Sequence, residues 1–140
     1  MSDYRNLKVW YQTLDFVARV YEITSEFPAR EQYGLTSQIR RAATSIALNI
    51  AEGATSGYNS EYARFLRIAI RSANEVSAGF EIAKRLKFCS SEDAQSQINA
   101  ADHIAAMLQA LIKSLGKVSE NQELYDATSF PQEHLEIIDE

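Results

Sequence analysis

The sequence predicts an all-α fold, an antiparallel four-helix bundle in up-down-up-down order with an acidic C-terminal tail. Four segments carry apolar residues at alternating steps of three and four, the spacing that places side chains on one face of a helix. Short connections separate these segments, so consecutive helices are expected to lie antiparallel. Only two prolines and five glycines occur in 140 residues, which allows long uninterrupted helices.

Charge divides the chain into two parts. Residues 1–117 hold all 14 Lys and Arg with 12 Asp and Glu, a balance of +2, whereas residues 118–140 hold seven acids and no Lys or Arg, a balance of −7. The two balances sum to the net charge of −5. We therefore expect one bundle domain over residues 1–117 and an acidic tail over residues 118–140.

The expected cellular compartment is inferred from the sequence signals that the chain lacks. No apolar run reaches the roughly 18 residues that a membrane-spanning helix needs, and the N-terminus lacks a hydrophobic signal region. Cys89 is the single cysteine, so no internal disulfide can form. These features predict a cytoplasmic protein that does not interact with a membrane.

The first helix is expected over residues 7–26, because two apolar stripes run side by side through it and Pro28 stops it. Together the stripes cover a wider arc than one neighbouring helix requires. The first stripe consists of Trp10, Leu14, Val17 and Tyr21, and the second of Phe16, Val20, Ile23 and Phe27.

The second helix is expected over residues 35–53, opened by Gly34 and capped by the hydroxyl of Thr36 or Ser37. Gly53 is expected to end it in the left-handed conformation. Its seam combines apolar and small residues with one amide: Leu35, Ile39, Ala42, Ile46, Asn49 and Gly53.

The third helix is expected from a cap at Asn59 or Ser60 to about Lys87, and the fourth from a cap at Ser90 to Gly116. Their seams are Tyr62, Leu66, Ala69, Ala73, Val76, Phe80 and Ala83, and then Ile98, Ala101, Ala105, Leu108, Ile112 and Leu115. Further apolar residues flank both seams, namely Phe65, Ile68, Ile104, Met107 and Leu111. Because the stripes of the first, third and fourth helices exceed what one four-helix core can absorb, we expect a homo-oligomer.

The second helix also carries a motif that is similar to a known family. The run Tyr33-Gly-Leu-Thr-Ser-Gln-Ile-Arg-Arg-Ala-Ala precedes Ser45-Ile and Asn49-Ile-Ala-Glu-Gly, which makes Gln38, Asn49, Glu52 and Gly53 motif positions. Over about residues 5–117 the chain resembles the four-helix-bundle proteins encoded by intervening sequences in 23S ribosomal RNA genes. The resemblance implies a pentameric ring. It also implies similarity to the accessory proteins of diversity-generating retroelements, which work with nucleic acid.

Catalytic and metal-binding motifs do not occur. The chain contains no Glu-x-x-His, His-Glu-x-x-His, Cys-x-x-Cys or Gly-rich phosphate loop. Cys89 with His103 or His134 could form a thiol pair, but no catalytic spacing relates them, and Cys89 is interpreted as a small hydrophobic residue. We predict neither an enzyme nor a cofactor or metal site.

A polar cluster on the second helix is the first candidate site. Arg40 and Arg41 precede Asn49 and Glu52 on this helix. We interpret these groups as satisfying one another and specifying helix pairing or subunit register. The alternative is an enzyme or small-ligand binder that uses this Arg/Asn/Glu cluster at a subunit contact.

Arginines form the second candidate site. Three of them recur at steps of three and four on the third helix. Together with two from the second helix, they are candidate contacts for the phosphates of RNA or DNA: Arg40, Arg41, Arg64, Arg67 and Arg71. The alternative is an exposed helix face that is neutralised by neighbouring acids, Glu61 and Glu75.

The sequence therefore predicts a non-enzymatic, self-assembling bundle that serves as an interaction scaffold, with nucleic acid as a candidate partner. The charge division adds a hypothesis about the tail. We expect the acidic residues to cover the basic surface until a nucleic acid or another partner displaces them.

Overall fold

A computed structural model describes residues 3–118 of the protein, and this range contains four α-helices. The helices are α1 (Lys8–Thr24), α2 (Leu35–Ala54), α3 (Asn59–Leu86) and α4 (Ser91–Val118). Single 3-10 turns at Tyr4–Asn6 and Ala29–Glu31 precede α1 and α2, and no strand occurs in the described range. The predicted all-α fold with four helices is confirmed. Apart from Val118, the predicted acidic tail lies outside the described residues.

Each helix packs against two others. The most extensive contacts join α2 to α3 and α3 to α4, while α1 packs on α2 and α4. Two hydrogen bonds join α3 to α4. Near the end of α3 and the start of α4, Lys84 Nζ donates to Gln95 Oε1 at 3.1 Å. At the start of α3 and near the end of α4, Asn59 Nδ2 donates to the Leu115 carbonyl oxygen at 3.4 Å. The two helices α3 and α4 therefore run in opposite directions around one core.

The core is centred on α3 and α4. All seven predicted seam residues of α3 are buried, because its regular three-four spacing keeps them on the face between α2 and α4. On α4 the flanking residues Ile104, Met107 and Leu111 are buried as well. One copy of the chain therefore buries the flanking stripe of α4, while the seam residues Ala105 and Ile112 remain half-buried.

In α1 the two predicted stripes exchange roles. The stripe that was expected at the side forms the core contact, and its members are buried: Phe16, Val20, Ile23 and Phe27. In the stripe that was expected in the seam, Leu14 and Tyr21 are 40% and 42% exposed, whereas Trp10 and Val17 are half-buried against the core. Periodicity locates two apolar faces on a helix, but the neighbouring helices decide which of them is covered.

The start of α2 departs from the prediction. Neither Thr36 nor Ser37 caps it; the Glu31 carboxylate instead accepts a hydrogen bond from the Leu35 N–H at 3.1 Å. Thr36 is buried, so its side chain is part of the packed surface and does not cap the exposed helix end. The cap therefore comes from the preceding 3-10 turn.

Three other helix ends also differ. Gly53 does not end α2, which continues to Ala54, and Gly116 lies inside α4. Asn59 is the first residue of α3 and is buried against α4, so it is not a solvent-facing cap. The Ser90 cap is confirmed, since its Oγ accepts from the Asp93 N–H at 3.0 Å.

Gly53 has a packing role. A Cβ built on Gly53 would lie 2.9 Å from the Cβ of Phe65, 3.0 Å from Cδ1 of Tyr62 and 3.2 Å from the Tyr62 carbonyl oxygen. Only a residue without a side chain lets α2 approach the backbone of α3 this closely. The glycine is required by a helix crossing and not by a turn.

Candidate functional site

Arg40 joins α1 to α2. Its Nε donates to Thr24 Oγ1 at 2.8 Å, one terminal nitrogen donates to the Tyr21 carbonyl at 3.3 Å, and the guanidinium lies 4.6 Å from the centre of the Tyr21 ring. The Tyr21 carbonyl belongs to the last turn of α1, where a cation also complements the helix dipole. Arg40 is thus a structural residue that ties the end of α1 to the start of α2.

Arg64 is paired on its own helix. Its guanidinium donates to both carboxylate oxygens of Glu61, at 3.0 and 3.1 Å, and lies 4.4 Å from the centre of the Phe65 ring. The hydrogen bond from Arg64 lowers the pKa of the Glu61 carboxyl, and the same bond raises the pKa of Arg64. This pair matches the prediction that Glu61 neutralises part of the arginine stripe.

Arg67 and Arg71 have no such partner. Both are exposed, and neither makes an ion pair or hydrogen bond with any residue from 3 to 118. The expected pair between Arg71 and Glu75 is not formed. We call the outward surface of α3 that carries Arg64, Arg67 and Arg71 the arginine face. Of its three charges, two are uncompensated within the described chain.

The Arg/Asn/Glu cluster does not assemble. Asn49 Nδ2 donates to the carbonyl and the Oγ of Ser45, at 2.8 and 3.0 Å, and Ser45 Oγ accepts from Ser72 Oγ at 2.9 Å. Glu52 is exposed and makes no ion pair with Arg41 or with any other described residue. The expectation that the four groups satisfy one another is therefore corrected: Asn49 helps to join α2 to α3 through two serines.

A groove of about 430 Å³ lies between α2 and α3 above these serines. Of the predicted motif and cluster residues it includes only Gln38 and Arg41; its lining residues are Gln38, Arg41, Ala42, Ser45, Ser72 and Glu75. Neither Asn49 nor Glu52 lines it, so the ligand site expected from the sequence is not gathered in one place. Sequence spacing missed Ser45 and Ser72 because hydroxyl pairs give no periodic signal.

The outward side of α1 and α2 carries an apolar strip. Arg40, near the start of α2, lies over the ring of Tyr21 in the last turn of α1. Leu14 precedes Tyr21 by seven residues on α1, and Leu48 follows Arg40 by eight residues on α2. At 1.5 Å per residue, each leucine lies about 10–12 Å along its helix from the contact between Tyr21 and Arg40. Leu48 is 67% exposed. We call Trp10, Leu14, Val17, Tyr21 and Leu48 the α1–α2 apolar band; Leu14, Tyr21 and Leu48 are its exposed members, while Trp10 and Val17 are half-buried against the core.

Cys89 is not an activated thiol. It is half-buried at the connection between α3 and α4, and its pKa is raised, first by burial and then by the negative charge of Asp93. A reactive cysteine needs a lowered pKa. Residues 3–118 also hold no group of three or more His, Cys, Asp or Glu placed to bind a metal ion, and none of their helices could span a membrane.

Comparison with known proteins places this geometry in a family. A solved structure similar to the chain is that of a protein of unknown function from the S23 ribosomal protein family of Bacteroides thetaiotaomicron. The two are 27% identical with a TM-score of 0.68, over 75% of this chain and 98% of the other. No curated protein matches. The family model of the 23S rRNA-intervening sequence protein matches residues 5–110, which include α1, α2, α3 and most of α4. The chain therefore belongs to the 23S rRNA-intervening sequence protein family.

Proposed function

We propose that the protein is a non-enzymatic, self-assembling scaffold that binds nucleic acid through its arginine face. The observation that carries the proposal is the α1–α2 apolar band, whose Leu14, Tyr21 and Leu48 are 40–67% exposed in one copy. Self-association would bring the arginine faces of several copies into one particle. The binding of a polyanion increases steeply with the number of phosphates contacted.

The apolar band supports self-association through its composition and place. It has aromatic and aliphatic residues along one side of α1, and Leu48 adds an exposed aliphatic side chain from α2. Exposed apolar side chains that form a continuous strip on a helical surface commonly mark a subunit contact. Each buried leucine contributes roughly 1.5–3 kcal/mol when it leaves water.

Solution mass tests the assembly. The wild-type chain is expected to have a mass that is a multiple of 15.7 kDa, and the family resemblance favours five copies. Leu48→Glu would place a carboxylate in the contact and is expected to shift the protein toward monomer at micromolar concentration. Leu86→Glu is the matched control, because Leu86 is another exposed helical leucine, 55% exposed, at the far end of α3.

Sedimentation equilibrium of the three proteins gives a clear result. A monomeric wild type, or an L48E variant that assembles as well as the wild type does, would refute the contact. Circular dichroism of both variants verifies that each remains helical.

The arginine face supports nucleic-acid binding through its uncompensated charge. Arg67 and Arg71 lie one helical turn apart, about 6 Å along the axis, with their side chains in solvent. Arginine is suited to phosphate because its planar fork donates two parallel hydrogen bonds. Two free guanidinium groups per copy, repeated in an oligomer, would form an extended basic surface.

Binding of structured RNA at several salt concentrations tests this part. The logarithm of the binding constant is expected to fall linearly with the logarithm of salt concentration. The double variant Arg67→Gln/Arg71→Gln should lower the slope by about one for each phosphate that a bound copy no longer neutralises. Arg30→Gln is the control, since Arg30 is exposed but lies over the Phe88 ring, away from the arginine face. Undetectable binding by the wild type at low salt would refute nucleic-acid association.

A further inference from the structure

We propose that the arginine face is a docking surface for the acidic residues 119–140 of the same chain, with Glu123 opposite Arg67 and Asp126 opposite Arg71. The proposal rests on the same face that the proposed function uses. It concerns a different occupant, and its test contains no nucleic acid. Failure of one proposal therefore leaves the other open.

The first argument is the electrostatics of α3. Arg67 and Arg71 are like charges at a spacing of four, an arrangement that destabilises a helix by a few tenths of a kcal/mol when no acid lies nearby. Neither forms an ion pair within residues 3–118, although Arg64, one turn earlier, is held by Glu61. A complementary group from elsewhere would remove this repulsion.

The second argument is where the chain leaves the described structure. Asn59, the first residue of α3, donates through its side-chain amide to the carbonyl of Leu115 in the last turn of α4. The described part of the chain therefore ends near the N-terminal end of α3. That is the end that carries the arginine face.

The third argument is reach. At 1.5 Å per residue, Arg67 lies about 12 Å and Arg71 about 18 Å along α3 from Asn59. The eight residues from Val118 to Asp126 span at most about 27 Å when extended. Val118 lies three residues, about 4–5 Å, past Leu115 and away from the arginines. Five residues join it to Glu123, so Glu123 can reach Arg67, and only Asp126 extends far enough to reach Arg71.

The fourth argument is charge complementarity. Residues 118–140 hold seven acids and no Lys or Arg, whereas residues 1–117 have a balance of +2. A segment of one sign, tethered beside an exposed surface of the other sign, stays at a high effective concentration there. Charge-assisted hydrogen bonds between arginine and carboxylate are among the strongest in proteins.

Zero-length cross-linking of the full-length protein tests the contact. Arg71→Lys places an amine on the arginine face, and a carbodiimide joins an amine to a carboxylate only when the two are in contact. We expect mass spectrometry to find position 71 linked to Asp126, the first acid of the tail that reaches it. The yield should fall several-fold in 1 M NaCl, where the Debye length is about 3 Å.

Arg85→Lys is the matched control. Arg85 is exposed on the same helix, but at about 39 Å from Asn59 it is farther than Asp126 can extend. We therefore expect no link from position 85 to Asp126 or to the acids before it. Equal yields at positions 71 and 85, or no link from position 71 to the tail, would overturn the proposal.

Isotope mixing distinguishes a cross-link within one chain from a cross-link between two copies. An equal mixture of ¹⁵N-labelled and unlabelled R71K protein is assembled and then cross-linked. Links within one isotope support docking in the same chain, whereas links that pair the two isotopes as often as random mixing predicts would overturn it in favour of a neighbouring copy.

Discussion

Gly53→Ala is the substitution whose effect the structure determines most directly. In a helix interior, alanine is favoured over glycine by about 1 kcal/mol. At position 53 the new methyl group would lie 2.9 Å from the Cβ of Phe65 and 3.2 Å from the Tyr62 carbonyl oxygen. Neither atom can rotate away, because one is bonded directly to the backbone and the other belongs to it.

The steric effect is expected to exceed the gain in helix propensity. Overpacking of a well-packed region usually costs about 1–3 kcal/mol, and a clash with backbone belongs near ~3 kcal/mol. After the gain of about 1 kcal/mol in propensity, we expect G53A to lower the free energy of unfolding by about 2 kcal/mol. For a chain of this length that corresponds to a fall in Tm of roughly 6 °C.

Gly116→Ala is the matched control with the opposite sign. Gly116 also lies inside a helix, but a Cβ built on it meets no atom within 4 Å. It should therefore stabilise the protein by up to about 1 kcal/mol. Thermal unfolding is followed by circular dichroism at one fixed protein concentration, since assembly makes Tm depend on concentration. A G53A variant as stable as G116A would refute the close-approach explanation.

Three further predictions follow from single side chains. Ser45→Ala removes the hydroxyl that accepts hydrogen bonds from Asn49 and from Ser72 of α3. This variant should lower the free energy of unfolding, measured in urea, by about 1–2 kcal/mol. An unchanged value would mean that water replaces these bonds. Arg40→Lys cannot reproduce the forked hydrogen bonds that Arg40 makes to the end of α1, so this variant should lower Tm. Arg41→Lys, which changes an exposed side chain, should leave Tm within about 1–2 °C of the wild-type value. The pKa of Cys89 is raised by burial, so at neutral pH its thiol should react with iodoacetamide more slowly than free cysteine does. The reaction should become faster as the pH rises. A reaction at neutral pH that is faster than that of free cysteine would contradict the assigned environment.

Local sequence determined the helices. The existence and approximate bounds of all four follow from residue spacing, because the three-four period reflects the turn of a single helix and needs no knowledge of its neighbours. The same holds for the Ser90 cap, whose hydroxyl bonds to a backbone N–H three residues later. The arginine stripe of α3 was also visible, since its members share one face of one helix.

Partner choice was decided by the tertiary structure. The sequence places Arg40, Asn49 and Glu52 on the same helix, but in the fold the guanidinium of Arg40 reaches α1 and the amide of Asn49 bonds to Ser45. A long side chain bonds to whatever group the neighbouring helix presents, and that group is distant in sequence. Spacing within one helix therefore could not identify these partners.

Burial, too, was settled only by the packed bundle. Two apolar stripes on α1 satisfy the same periodic rule, yet one forms the core and the other, with Leu14, remains half-open to water. Gly53 likewise reads as a helix end in the sequence and proves to be a contact point between α2 and α3. Sequence determines which faces a helix has, whereas the position of neighbouring helices determines which face loses water and where two backbones must nearly touch.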